Sequence, residues 1–268
     1  MEFTFLCIAS GSSGNCYYLQ AGDTAILIDA GLSQRQIKKG LKDKNLSLEK
    51  VKGIFVTHDH ADHIKGVSNL SFEHYIPVYA TAEVHKGMKK SYCMTREIDP
   101  ALVRKIEKNE NIELGDFTIH SFEVPHDGTD NVGYCVEAYG ITFCIITDVG
   151  HVTQAVADHI QCANYLVLEA NYDKAMLEMG PYPQYLKARI ASETGHLSND
   201  ACADALLAYS TPELKHVWLC HLSEENNHPE LARKTVEAIL RSGGIVAGKD
   251  FMLDVLRRKT PSDLYFLK

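Results

Sequence analysis

Seven consecutive residues carry the densest chemistry in the chain: Thr57-His58-Asp59-His60-Ala61-Asp62-His63. They follow the apolar run Gly53-Ile54-Phe55-Val56, so a strand delivers them to a sheet edge. His58 and His60 alternate, and therefore project to one side of an extended strand end. A turn into a helix then lets Asp62 and His63 face a second position nearby. Imidazole and carboxylate donors suit zinc, manganese or iron rather than a purely soft metal. A solvated turn accounts poorly for three histidines and two aspartates packed this closely. The stretch reads as part of a centre for two metal ions.

Such a cluster cannot fill two coordination shells alone, so other strand ends must supply donors. His126 in EVPHDG, Asp148 in FCIITDVG and His221 in VWLCHLS each close an apolar β-run. Loop-end sites on a sheet are built in this way. Taken with the cluster, all three read as ligands.

These positions need a framework, and the patterning predicts one. FTFLCIA, CYYLQAG and TAILIDAG read as a strand meander broken by Gly-containing turns, as do the runs from Asn111 to Gly150. NYLVLEAN and HVWLCHLS are further buried strands. QRQIKKGLKDKNL, TAEVHKGMKK, VTQAVADHIQC, LSNDACADALLAYS and HPELARKTVEAILRSGG have helical spacing, with Ser198 as an N-cap. The two prolines of GPYPQYLK predict an exposed loop. No linker and no clear short repeat interrupts the chain. It reads as one α/β sandwich domain over residues 1–268.

The composition sets outer limits. With 268 residues, 45% of them hydrophobic and 23% charged, the chain has the make-up of a globular protein with its own core. A net charge of −8 argues against indiscriminate coating of nucleic acid, but leaves room for a local basic groove. The eight cysteines form no CxxC pair, and most sit in apolar runs where a thiol acts as a small core residue. That usage fits a reducing, cytoplasmic compartment. The start of the chain has no basic n-region, and no apolar run is long enough to span a membrane.

His-x-His-x-Asp-His, a lone His, a lone Asp and a late His, in that order, resemble the metallo-β-lactamase superfamily. The resemblance spans nearly the whole chain and implies an αββα sandwich with two metals at one edge of its sheets. It implies that His58, His60 and His126 bind one divalent ion, that Asp62, His63 and His221 bind the other, and that Asp148 bridges them. Asp29 in ILIDAG matches an early aspartate that supports the site. Within the superfamily, SGSSGN at 10–15, EANYD at 169–173, GHLSN at 195–199 and CHLSEENN at 220–227 resemble the YycJ/WalJ group, associated with 5′→3′ DNA exonuclease activity.

EANYD and GHLSN are also similar to a pairing in the tRNA 3′-processing members, which implies that Glu169 orients His196. A carboxylate fixes an imidazole's tautomer and raises its pKa, which suits a general acid. A buried pair with a packing role is the plainer reading of the same two residues. Asp62, His196 and Glu169 are thus the catalytic candidates beside the metal ligands. The loop Ser10–Asn15 reads equally as a phosphate-approaching turn or as a tight turn. Lys86, Lys89, Lys90, Arg96, Arg104, Lys105 and Lys108 suggest a basic wall for a nucleic-acid backbone, or a solvated face. His228 reads as a surface residue, and the other histidines stay unassigned.

The expected activity is a phosphodiesterase with two divalent ions, zinc or manganese before iron, and a metal-bridged hydroxide as nucleophile. DNA is the expected substrate, with RNA as a second possibility and no membrane partner. A small-molecule phosphodiesterase, a thioester or lactam hydrolase, and a non-hydrolytic metal or redox module are the competing readings.

Overall fold

The computed structural model describes residues 2–268. Among these residues the strands form two seven-stranded mixed sheets. In the first, β1 (Phe3–Ala9), β2 (Cys16–Ala21) and β3 (Thr24–Ile28) run antiparallel. β4 (Val51–Phe55), β5 (Val78–Ala80) and β6 (Val103–Lys105) continue outward from β3 in parallel. The second sheet repeats this plan. β7 (Ile112–Leu114), β8 (Phe117–Glu123), β9 (Val132–Ala138) and β10 (Ile141–Ile146) are antiparallel neighbours. β11 (Tyr165–Glu169), β12 (His216–Cys220) and β13 (Met252–Val255) follow in parallel. The C-terminal β14 (Tyr265–Leu267) returns to pair with β1, placing Phe3 opposite Leu267. Each sheet therefore switches from antiparallel to parallel pairing at its central strand, β3 in one and β10 in the other.

The inner faces of the sheets meet in an aromatic core. The Phe5 ring centroid lies 4.8 Å from those of both Phe143 and Trp218, with Tyr17, Phe55 and Tyr134 packed around them. Trp218 is fully buried, so truncating it to Ala should cost about 3–5 kcal/mol. Helices cover the outer faces: α1 (Gln34–Lys42), α2 (Ala61–Ile64), α3 (Val67–His74) and α4 (Ala82–Lys90) lie in the first half of the chain. Ile37, Leu41, Leu70, Val84 and Met88 are the apolar residues they press onto the first sheet. On the second sheet, α5 (Gln154–Cys162), α8 (Asn199–Tyr209) and α9 (Pro229–Ser242) contribute Val156, Ile160, Leu206, Val236 and Leu240. α6 (Lys174–Met179) and α7 (Gln184–Ile190) lie between β11 and α8. This is the αββα sandwich. Covered on both faces, β1 and β11 are buried throughout, which is why they read as unbroken apolar runs.

One expectation fails in part. GPYPQYLK is a loop only as far as Pro183, whose φ of −65° leads directly into α7. α7 has no buried residue and so carries no apolar stripe to announce it. Ser198 caps α8 by accepting from the Ala201 amide. His228, read as a surface residue, caps α9 by accepting from the Glu230 amide. No helix among the described residues is long and apolar enough to cross a membrane.

Candidate metal centre

The loops that leave the two central strands and their parallel neighbours converge at one edge of the sandwich. After β4 the chain runs through Thr57 and His58 to His60, where α2 begins, and Asp62 and His63 lie within α2. The loop after β8 brings His126, the turn after β10 brings Asp148, and the end of β12 brings His221. Donor atoms of His58, His60 and His126 lie within 4.8 Å of one another. The same is true of Asp62, His63 and His221, and of His58, His63 and Asp148. Asp148 thus lies between the groups: its Oδ2 is 3.2 Å from His63 Nε2 and its Oδ1 is 3.7 Å from His126 Nε2.

Backbone strain helps place these residues. Asp29, Asp148 and His221 have φ values of 58°, 53° and 52°. Left-handed backbone at a non-glycine residue is uncommon, and Asp and His tolerate it better than most. Each follows the end of a buried strand, so the bend turns the chain across the sheet edge. Asp29 and Asp148 follow β3 and β10, and each begins a D-x-G triplet. The glycines allow close approach: a Cβ at Gly31 would fall 1.6 Å from the Asp62 carbonyl oxygen, and one at Gly150 2.1 Å from that of Glu193.

The hydrogen bonds around the imidazoles settle their orientation. His58 Nδ1 donates to Thr57 Oγ1 at 3.0 Å, and His63 Nδ1 to Asp29 Oδ2 at 2.7 Å. His126 Nδ1 donates to the Gly195 carbonyl at 2.9 Å, and His221 Nδ1 to Glu169 Oε1 at 2.8 Å. With these four Nδ1 atoms committed outward, each of these rings turns Nε2 toward the centre. Nε2 of His58, His126 and His221 is buried and has no hydrogen-bond partner. An unsatisfied buried polar atom costs about 1–3 kcal/mol, so three of them side by side mark a place built for a cation. The residues present therefore fit divalent metal. Ligand histidines held by outer acceptors are the usual pattern of such sites.

Asp29 is fully buried; burial raises its pKa, and His63 and Thr57 oppose that rise. It accepts from the Thr57 amide and hydroxyl, both at 2.9 Å, and so fixes the start of the ligand loop as well as His63. Asp59, the one acid of the stretch not read as a ligand, turns away and accepts from the Thr129 amide and hydroxyl. That contact holds the loop carrying His126.

Glu169 is more deeply involved than its sequence context implied. Its Oε1 accepts from His196 Nδ1 at 2.9 Å and from His221 Nδ1 at 2.8 Å. Its Oε2 accepts from the amides of Val149 and Leu197. Burial pushes its pKa up, but His196 and His221 outweigh this and hold the carboxyl down at about 2. For His196, burial acts downward and Glu169, then Asp148, raise the imidazole above its ordinary value.

The segments SGSSGN, EANYD, GHLSN and CHLSEENN prove to be parts of one hydrogen-bond network. Ser10 Oγ accepts from the His221 amide, and Asn171 Nδ2 donates to the His221 carbonyl. Asn227 pairs with Asn199 and donates to the Ala170 and Asn171 carbonyls. Arg258 ties Leu222, Ser223 and Asn227 together through their carbonyls. Asn15 closes the Ser10–Asn15 loop through Gly11 and donates to Asp62 Oδ2, so the tight-turn reading accounts for that loop.

Several contributors gave no signal in sequence. Asp127 Oδ1 lies 3.4 Å from His126 Nε2 and 3.6 Å from His60 Nε2, while its Oδ2 accepts from Arg189 of α7. The basic wall is partly neutralised: Lys86 pairs with Glu83, Lys89 with Glu97 and Lys108 with Asp130. Arg96 stacks 4.3 Å over the Phe72 ring, and Arg104 bonds backbone carbonyls. Lys86, Lys89, Arg96 and Lys105 nonetheless line a cavity of about 630 Å³ with Met88 and Met94.

Protons compete for these donors. Burial acts downward on His221, but Asp148, Asp62 and Glu169 lift its pKa to about 10. The same balance, set by Asp148, Asp29 and Asp62, holds His63 well above the usual histidine range. A metal must displace a proton from each ring at neutral pH. Apparent affinity should therefore strengthen with rising pH, about tenfold per unit for each proton displaced. Chelator-competition titrations between about pH 6 and 8 check this, and a flat profile would contradict it.

Comparison with known proteins agrees with this geometry. Residues 24–222 match the model of the Beta-lactamase superfamily domain. The chain is 34% identical over 267 residues to exodeoxyribonuclease YycJ of Bacillus anthracis, covering 100% of both proteins. It is 35% identical over 249 residues to exodeoxyribonuclease WalJ of Streptococcus pneumoniae, covering 93% of this chain and 92% of that one. Among solved structures, the metallo-β-lactamase fold protein YhfI from Bacillus subtilis superimposes with a TM-score of 0.73 at 15% identity over the full length of both. The chain belongs to the metallo-β-lactamase superfamily, alongside YycJ and WalJ.

Proposed function

We propose that this protein is a dinuclear-metal phosphodiesterase that degrades DNA from 5′ ends. The observation that carries the reading is His196, which lies beside the ligand shells and is fixed by the same Glu169 oxygen that fixes His221. When bound, divalent ions would supply an activated water and offset the charge that develops on the scissile phosphate. His58, His60 and His126 would hold one ion and Asp62, His63 and His221 the other, with Asp148 available to both. His196 donates a proton from Nε2 to the departing sugar oxygen. Glu169 keeps the proton on Nδ1 and stabilises the charged ring.

The choice of substrate follows from that acid. A sugar alkoxide is a poor leaving group and needs a proton, whereas the thiolate released from a thioester does not. The full-length likeness to two proteins named exodeoxyribonucleases supports DNA over small phosphodiesters. Duplex and single-stranded DNA labelled at either end, digested with zinc- or manganese-loaded enzyme, tests the proposal. Release of the 5′ label as the first product is expected. First release of the 3′ label would overturn the polarity, and no hydrolysis with either metal would overturn the function.

The backbone of the substrate is assigned to the wall of cations beside α4. Lys90 and Lys105 form no ion pair among the described residues, so their charge is free to meet phosphate. Replacing both with Gln should weaken binding and reduce the log–log salt slope by about one phosphate contact per charge removed. Turnover at saturating DNA should hardly change. An unaltered slope would assign the wall to solvent.

A further inference from the structure

We propose that Cys135, Cys144 and Cys162, with the neighbouring His120–His159 pair, form a separate site for one thiophilic metal ion, zinc foremost. It lies on the helix-covered outer face of the second sheet. Cys144 sits opposite Cys135 across the β10–β9 ladder, and His120 sits opposite Cys135 across β8–β9. Directly paired residues on antiparallel strands point to the same face, so His120, Cys135 and Cys144 form one row over three strands. The last turn of α5 lies above that row and brings His159 and Cys162, three positions apart on one helix face.

The three Sγ atoms lie within 4.8 Å of one another. Tetrahedral zinc with Zn–S of about 2.3 Å requires sulfurs about 3.8 Å apart, so only small side-chain movements are needed. Cys135 and Cys144 are buried, whereas Cys162 is exposed and offers an entry path. The cysteine pattern suggested only small core residues, yet a core thiol needs neither an exposed partner nor two imidazoles beside it.

The two imidazoles border the thiols. His159 Nδ1 donates to the Ala155 carbonyl at 2.7 Å, which leaves the lone pair on Nε2. Its ring stacks on Phe122 with centroids 3.6 Å apart, which fixes its plane. His120 Nε2 lies 3.0 Å from His159 Nε2 and donates to its lone pair, so the three thiols form the site's core and an imidazole joins them only when that bond opens.

Cobalt(II) titration of the full chain tests the site independently of the nuclease centre, which contains no thiol. A thiolate-to-cobalt charge-transfer band should appear and level off at about one cobalt per chain bound beyond those in the nuclease centre, and zinc should displace it. Cys162→Ser should abolish the band while DNA hydrolysis persists. Because any substitution can disturb packing, a second measurement uses the unaltered chain: zinc should shield Cys162 from alkylation, read by peptide mapping. The absence of the band, its survival in Cys162→Ser, or alkylation of Cys162 unaffected by zinc would each overturn the proposal. So would a Cys162 disulfide to Cys135 or Cys144 in protein that takes up no metal.

Discussion

Replacing His60 with Ala should slow DNA hydrolysis by about 10³-fold and remove metal while leaving a folded chain. The reason lies in the unequal roles of the ligands. His60 is the N-cap residue of α2, yet its side chain makes no capping bond and is about one-third exposed. Its removal leaves no buried donor or acceptor stranded, so the fold should lose little stability. His63 is the contrast: it is fully buried, and its loss would leave the Asp29 carboxylate without its strongest partner. Removing one partner of such a buried pair costs about 3–5 kcal/mol, which would confuse metal loss with unfolding. At the site, His60→Ala takes away one of three imidazoles whose donor atoms lie within 4.8 Å of one another and which are proposed to hold the first ion. If that ion contributes about 4 kcal/mol of transition-state stabilisation, the rate falls by roughly 10³-fold. Elemental analysis, circular dichroism and turnover on end-labelled DNA should be read on one preparation. A variant that keeps full activity would remove the basis for the metal assignment.

The parts of this site that could be read in advance share one property: their information is local. His58, His60, Asp62 and His63 fall in one short stretch that runs from a strand end into a helix, and His126, Asp148 and His221 each end an apolar run whose strand character is plain from a few residues. The long-range contacts could not be read so directly. Nothing near Glu169 says that His221, 52 residues away, shares its oxygen with His196. Asp127 acquires a role only because α7, a helix with no buried face, carries Arg189 to it. β6 leaves no local signal for a similar reason: Val103–Lys105 is short and largely exposed, without an apolar run. One signal was present and went unread. ILIDAG and IITDVG place the same D-x-G after the central strand of each sheet, so the two sheets share a local plan that no longer sequence repeat reveals.

The proposed acid predicts a second large effect. His196→Ala should retain both metals but lose about 10²–10⁴-fold in turnover, the usual contribution of a general acid. Retention is expected because the proposed ligand set does not include His196, whose Nδ1 is committed to Glu169. A nitrophenyl phosphodiester should restore most of the rate, because its leaving group departs without a proton. Glu169→Gln separates the two tasks of the carboxylate. It weakens the hold on His196, but also on His221, so metal affinity should fall by about 10–100-fold, the cost of losing an outer partner of a ligand. The activated substrate should therefore rescue Glu169→Gln only when excess metal is supplied, whereas His196→Ala needs no added metal. The pH profiles should also differ. Glu169 and Asp148 raise His196 above its ordinary pKa, so the wild-type enzyme keeps its acid protonated past that value and loses rate as pH rises through the elevated one. In His196→Ala that alkaline limb should vanish. Equal impairment on both substrates, or loss of an ion from His196→Ala, would make His196 a ligand or a phosphate clamp and end its role as the acid.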